Sequence, residues 1–237
     1  MEQQTVQIQE SKPEVAKQTT GIDILFFFPP FMKSESYGGR KISDERGHLP
    51  PLGMIQLAAV ALEAGYTCEV IDPLVMNLSK DGVLDRIGEL KPKVIGINAL
   101  TPTFSKSVDI AKAIRARFPD VIIMVGGTKP TLTPNDILTD HPYFDISIIG
   151  EGEATLVELL AHFKKYSFDR KQSMAATIDL GKILGIVYRD TEHPTGVYSG
   201  KRPFVDLDTL PLPARHLLPI QKYIPLPIQS KRLPVVH

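Results

Sequence analysis

The sequence predicts an α/β fold, a five-stranded parallel sheet that is doubly wound, with helices on both faces. Three observations predict it. Short runs rich in Ile, Val and Phe recur along the chain without the polar alternation of a half-exposed strand. Segments with helical apolar spacing separate them. Each run closes on Pro, Gly, Asn or Asp, residues that stop a strand or begin a turn.

Taken in order, residues 1–20 are rich in Gln, Glu, Lys and Thr and are expected to form a disordered or loosely attached tail. Ile22 to Phe28 reads as a first strand buried on both faces, and Pro29-Pro30 forbids its continuation. Residues 31–51 form a long loop with Tyr37-Gly38-Gly39 and His48-Leu49-Pro50-Pro51, and loops of that length are often functional. A helix follows from Gly53, in which Ile55, Ala58, Ala59 and Leu62 share one face and Gly65 suits the position after the last turn. Tyr66 to Ile71 is the second strand, and a weaker helix over Asp81 to Leu90 leads to the third, Val94 to Ala99. Ser105 to Phe118 is an amphipathic helix with Val108, Ala111 and Ile114 toward the sheet. Val121 to Val125 is the fourth strand, closed by Gly126-Gly127, and a short helix is expected near Pro134 to Thr139. The fifth strand, Ile146 to Ile149, ends in Gly150-Glu151-Gly152-Glu153 and a helix from Ala154 to Phe163.

Strands alternating with helices imply a parallel sheet covered on both faces. Right-handed crossovers leave few topologies, and the flavodoxin-like or Rossmann-like order 2-1-3-4-5 is the expected one. Beyond Lys165, Ile183 to Arg189 and Val197 to Val205 flank a turn-like Glu192 to Gly196 and read as a β-hairpin. Pro211, Pro213, Pro219, Pro225 and Pro227 then indicate an extended linker.

Composition excludes several function classes. Lys+Arg and Asp+Glu balance at 27 each, so no net field favours nucleic acid. One cysteine, Cys68, excludes an internal disulfide or a multi-cysteine metal site, and its apolar run reads as a packed strand. Ile24 to Phe31 is too short to cross a bilayer, so no membrane partner is expected and a reducing cytoplasm fits. His48, His141 and His193 lack spaced partners, so metal ligation is not expected.

In open α/β sheets, ligands bind outside the C-terminal ends of the strands. Asn98-Ala99-Leu100 and Gly126-Gly127 close strands three and four on that edge. A phosphoacceptor would need acidic residues there, and an FMN site a hydroxyl-rich loop after strand one; Pro29-Pro30 provides neither. Gly150-Glu151-Gly152-Glu153 carries Glu where a pyrophosphate would sit. It reads either as a tight turn with Glu153 favouring a helix N-terminus, or as a close approach to a neutral or hydroxylated part of a large ligand. No nucleophile–base arrangement stands out, so any chemistry belongs to a bound cofactor. The rival reading is a flavodoxin-like interaction module that binds another ligand or a partner protein.

Leu49-Pro50-Pro51-Leu52-Gly53, Glu63-Ala64-Gly65-Tyr66, Asp145 to Thr155 and Leu210 to Arg215 form an ordered set. Together they resemble the cobalamin (B12)-binding N-terminal domain of B12-dependent radical S-adenosylmethionine (SAM) enzymes, of the anaerobic magnesium-protoporphyrin IX monomethyl ester cyclase and methyltransferase kind. Cobalamin domains of the methionine-synthase kind carry Asp-x-His-x-x-Gly, Ser-x-Leu and Gly-Gly after strands one, three and four. Here Asn98-Ala99-Leu100 and Gly126-Gly127 match the last two in place and spacing, with Asn for Ser, while Pro29-Pro30 stands where the first should begin.

The resemblance implies base-off, His-off cobalamin. It implies cofactor contacts from Pro29, Pro30, Leu52, Gly53, Asn98, Leu100, Thr101, Thr103, Phe104, Gly126, Gly127, Thr128, Gly150, Glu151 and Gly152. The nucleotide tail would thread between strands three and four, and Gly127→Leu is expected to abolish corrinoid binding while leaving folding largely intact. The implied organisation is a tail (1–20), a cobalamin domain (21–165), a hairpin extension (166–209) and a linker (210–237) toward a radical SAM domain or subunit. The [4Fe–4S] cluster and SAM would belong to that downstream part, because one cysteine cannot supply a Cys-x-x-x-Cys-x-x-Cys motif. Catalysis by this chain alone is not expected.

Overall fold

The computed structural model describes residues 21–29 and 49–223. The expected tail, most of the long loop with Pro30, Tyr37 and His48, and the last prolines lie outside the described residues.

Strand β1 (Ile24–Phe27) is followed by helix α1 (Leu52–Glu63) and β2 (Cys68–Ile71). Next come α2 (Pro73–Met76), α3 (Lys80–Leu90), β3 (Val94–Asn98) and α4 (Phe104–Arg117). Then follow β4 (Ile122–Gly126), α5 (Thr128–Leu132), α6 (Pro134–Asp140), β5 (Ile146–Ile148) and α7 (Glu153–Lys165). The chain goes on through α8 (Arg170–Ala175), α9 (Thr177–Leu180), β6 (Ile186–Tyr188) and β7 (Val197–Tyr198).

The first five strands are parallel in the order 2-1-3-4-5. The five-strand count falls short, because β6 pairs antiparallel with β5 and β7 with β6, giving a mixed sheet of 7 strands. The hairpin expected as an appendage therefore extends the same sheet. Its partner β5 would otherwise expose a row of unpaired backbone groups, which β6 covers.

Two apolar layers flank the sheet, and strand alternation divides the side chains between them. Ile24, Phe26, Val94, Met124 and Ile148 face α1 and α7, whereas Leu25, Phe27, Ile95, Ile97 and Val125 face α3, α4 and α6. Pro211 to Tyr223 is not a free extended linker. Ala214 N–H donates to the Ile55 carbonyl at 3.0 Å, and Ala214, Leu218 and Tyr223 are buried against the α1 layer. Its prolines set short 3-10 turns whose apolar residues find a surface to cover.

Candidate functional site

The C-terminal edge of the sheet opens into a slot of about 210 Å³ between α1 and α7. Its floor follows from the period of two. Gly96 and Asn98 share a face on β3, as do Met124 and Gly126 on β4, with Phe26 and Ile148 beside them. Gly53, Met54 and Leu57 of α1 form one wall; Gly150, Glu151, Gly152, Glu153 and Leu156 form the other. Pockets for whole small molecules run to about 300–1,000 Å³, so this slot suits one arm of a larger ligand.

Glycines make the slot possible, for two distinct reasons. Gly126 leaves the floor open, where a Cβ would meet Ile148 only at 3.6 Å, and Gly96 makes room for the Phe26 ring, which a Cβ would approach to 3.3 Å. Gly127 instead serves its own chain, with φ +110° and a Cβ position 2.9 Å from the Ala99 carbonyl oxygen. Ala99 is fixed there because its N–H donates to the Gly126 carbonyl at 2.7 Å and its carbonyl accepts from Lys129 N–H at 3.0 Å. The expectation that Gly127→Leu spares folding is therefore corrected.

Thr131 braces the mouth: its hydroxyl donates to the Gly127 carbonyl at 2.8 Å and accepts from Gly150 N–H at 3.0 Å. A C-terminal strap crosses outside both walls. Arg202 pairs with Glu158 of α7 at 2.6 and 3.0 Å, and Val205 N–H donates to Glu151 at 2.8 Å. Gln56 of α1 donates to the Pro211 carbonyl at 2.9 Å, and Tyr223 donates to Asp72 at 3.0 Å. Burial, with the Asp72 carboxylate adding to it, pushes the Tyr223 phenol above its ordinary range, so it stays a donor.

Two slot atoms, Asn98 Oδ1 and Glu153 Oε2, are buried without a hydrogen-bond partner. Each is an acceptor that a water or a ligand can satisfy. Cys68 is not a reactive group, since burial raises its thiol to about 12 and it lies 3.6 Å from the Ala58 carbonyl. His162 is buried against the Ser173 carbonyl at 2.8 Å, and His193 pairs with Asp190 at 3.0 Å. Burial lowers the pKa of His141, whose ring stands 5.1 Å from Phe104. Among the described residues there is no group of three or more His, Cys, Asp or Glu placed to hold a metal, and no helix is long and apolar enough to cross a membrane.

Of the residues singled out from sequence, Gly53, Asn98, Gly126, Gly127, Gly150, Glu151 and Gly152 meet in the slot. Leu100, Thr101 and Thr103 instead form a 3-10 turn into α4, with the Thr103 hydroxyl and the Leu100 backbone 3.3 Å apart. Phe104 lies toward the opposite layer, Thr128 opens α5 on the surface, Leu52 is exposed at the start of α1, and Pro29 is buried beyond β1. β3 and β4 are hydrogen-bonded neighbours through Asn98↔Gly126, so the slot lies on one face of the sheet and not between those strands. Sequence reasoning missed Phe26, Met54, Leu57, Gly96, Met124, Glu153 and Leu156 as lining residues. Alternation from Asn98 to Gly96 and from Gly126 to Met124 was the signal that would have found two of them.

Residues 44–160 match the family model of the B12 binding domain. The chain is 29% identical over 212 residues to the anaerobic magnesium-protoporphyrin IX monomethyl ester cyclase of Rubrivivax gelatinosus, covering 88% of this chain and 35% of that protein. It is 31% identical over 156 residues to the enzyme of the same name from Synechocystis sp., covering 65% of this chain and 29% of that one. A 74-residue stretch is 32% identical to the cobalamin-dependent radical SAM methyltransferase TokK of Streptomyces tokunonensis, 31% of this chain and 11% of the relative. The chain thus spans about a third, at most 35%, of the cyclases it matches. In fold it is similar to the radical SAM methyltransferase TsrM of Kitasatospora setae, solved with cobalamin and a [4Fe–4S] cluster. The TM-score is 0.58 at 16% identity, over 81% of this chain and 31% of that one.

Proposed function

We propose that the chain, whose residues 44–160 match the B12 binding domain family model, belongs to that family and holds cobalamin at the C-terminal edge of the sheet, with the nucleotide arm in the α1–α7 slot. The observation that carries this reading is a glycine-floored slot with two partnerless buried oxygens, inside the matched segment. The residues fit a corrinoid arm: the open floor beside Gly126 admits a flat base, and Asn98 and Glu153 can accept from whatever N–H or O–H groups the arm presents.

In this reading Gly53, Asn98, Gly126, Gly150, Glu151 and Gly152 contact the arm, and Gly127 holds the β4 turn that shapes it. Pro29, Leu52, Leu100, Thr101, Thr103, Phe104 and Thr128 are the further residues expected toward the corrin. The bound form is base-off and His-off: Pro29-Pro30 occupies the position after strand one from which a histidine would reach cobalt. Cobalamin would supply a cobalt centre for methyl-group chemistry, and the chain's own part would be to bind and orient it without offering a histidine from Pro29-Pro30. We place this activity in the service of a radical SAM domain or subunit, for methyl transfer or ring formation. The cluster and SAM lie with that partner, since this chain has one cysteine.

Titration of the purified chain with hydroxocobalamin, followed by visible absorption, tests the reading. Saturation near one equivalent with a shift to the base-off spectrum is expected. An unchanged cofactor spectrum and no retention on a desalting column would overturn it.

A further inference from the structure

The described lining of the slot is rich in hydrogen-bond acceptors. Among the described residues its lining includes Glu151 and Glu153 but no Lys, Arg or His. Glu151 is engaged, accepting from Val205 N–H at 2.8 Å. Glu153 stands in the first turn of α7, where the helix N-terminus steadies its negative charge, yet its Oε2 is buried without a partner. Opposite, the Asn98 carbonyl is bonded by the Ser107 hydroxyl at 3.0 Å, while its side-chain Oδ1 has no partner. The remaining walls are apolar and include two thioethers, Met54 and Met124.

These features define what can enter. Against the described lining a phosphate would meet a carboxylate with no compensating cation, so the base of the arm suits the slot better than its phosphate does. A flat aromatic group packs well against methionine sulfur. It fits best when its edge carries N–H donors, because Glu153 can only accept when ionised and an Asn amide offers one donor and one acceptor side by side. An amino group next to a ring nitrogen is the pattern that an Asn amide matches in two bonds.

We propose that Asn98 and Glu153 make the slot selective among corrinoids by the base that ends the nucleotide arm. The favoured base carries an exocyclic amino group, as adenine does, over 5,6-dimethylbenzimidazole, which has no N–H once attached to its ribose. This inference rests on the corrinoid reading above. A site built around N–H donors discriminates against the analogue that lacks them, because its own acceptors are then left unpaired.

The test compares the dissociation constants of cobalamin, the adenine-bearing cobamide and cobinamide, which has no nucleotide arm, for the wild-type chain, Glu153→Leu and Asn98→Leu. Thermal melts verify folding, and Glu153→Gln serves if the leucine variant does not fold. Wild type is expected to bind the adenine cobamide at least about tenfold more tightly than cobalamin. Each leucine variant is expected to bring that ratio toward one, and the Gln variant to lower it. Equal wild-type affinities or a ratio that survives Glu153→Leu would each overturn the selectivity and leave the corrinoid reading intact, whereas cobinamide binding as well as the complete corrinoids would overturn both the selectivity and the placement of the arm in the slot. Binding of none of the three overturns the selectivity and the corrinoid reading alike.

Discussion

Gly126 and Gly127 are neighbours with different tasks. Gly127 holds a left-handed φ of +110° against the Ala99 carbonyl, so any side chain there strains the backbone that closes β4. Gly127→Ala is expected to lower the stability of the free protein by about 1–3 kcal/mol, read as an earlier midpoint in urea. Gly126→Ala costs less in the same measurement, since its Cβ meets only ordinary contact. The pair was visible in the sequence as a ligand-edge signal, but the division of labour was not. It depends on a torsion and on a carbonyl 28 positions back along the chain, which local sequence does not specify. Asp23 makes a second prediction at this scale. Burial alone would raise its pKa, but a 2.7 Å bond from Lys93 and bonds from the Thr67 N–H and hydroxyl together lower it. A lowered carboxylate pKa contributes stability above its unfolded value, about 3.9, and that contribution is lost as pH falls through the folded value. Asp23→Asn should flatten the acid limb of a pH–stability curve below about pH 4 and be less stable than wild type at pH 7.

Among elements, β4, α4 and the start of β5 are locked at the edge opposite the slot. Asp145, with a side chain 3% exposed, pairs with Arg115 at 2.7 Å and Arg170 at 2.8 Å and accepts from Ile123 N–H at 2.8 Å. Removing the carboxylate leaves two guanidinium groups facing each other. Asp145→Ala is expected to cost about 3–5 kcal/mol, measured by chemical denaturation. The long helices and five parallel strands were legible because their apolar periods are clear. α2, α5, α8 and α9 were not, since segments of four to six residues are too short to show a period and are held by tertiary contacts. The hairpin was legible, but its attachment to β5 was not, because Ser147↔Val187 is a long-range pairing that no local pattern encodes.

At the scale of the whole molecule, the strap from Arg202 to Tyr223 belongs to the architecture of the site. It joins α7, the Glu151 loop, α1 and the end of β2, although its prolines read in sequence as a spacer. Tyr223→Phe should lower stability by about 1.5–3 kcal/mol, the worth of one hydrogen bond to a charged group, and loosen the strap in hydrogen exchange. The central claim is that the glycine edge between α1 and α7 receives the cobalamin arm, and one comparison tests it most directly. Hydroxocobalamin is titrated into wild type and into Gly126→Leu, with thermal unfolding verifying that the variant is folded. Binding near one equivalent by wild type, abolished in a folded Gly126→Leu, is the predicted result; equal binding by both proteins would contradict the account.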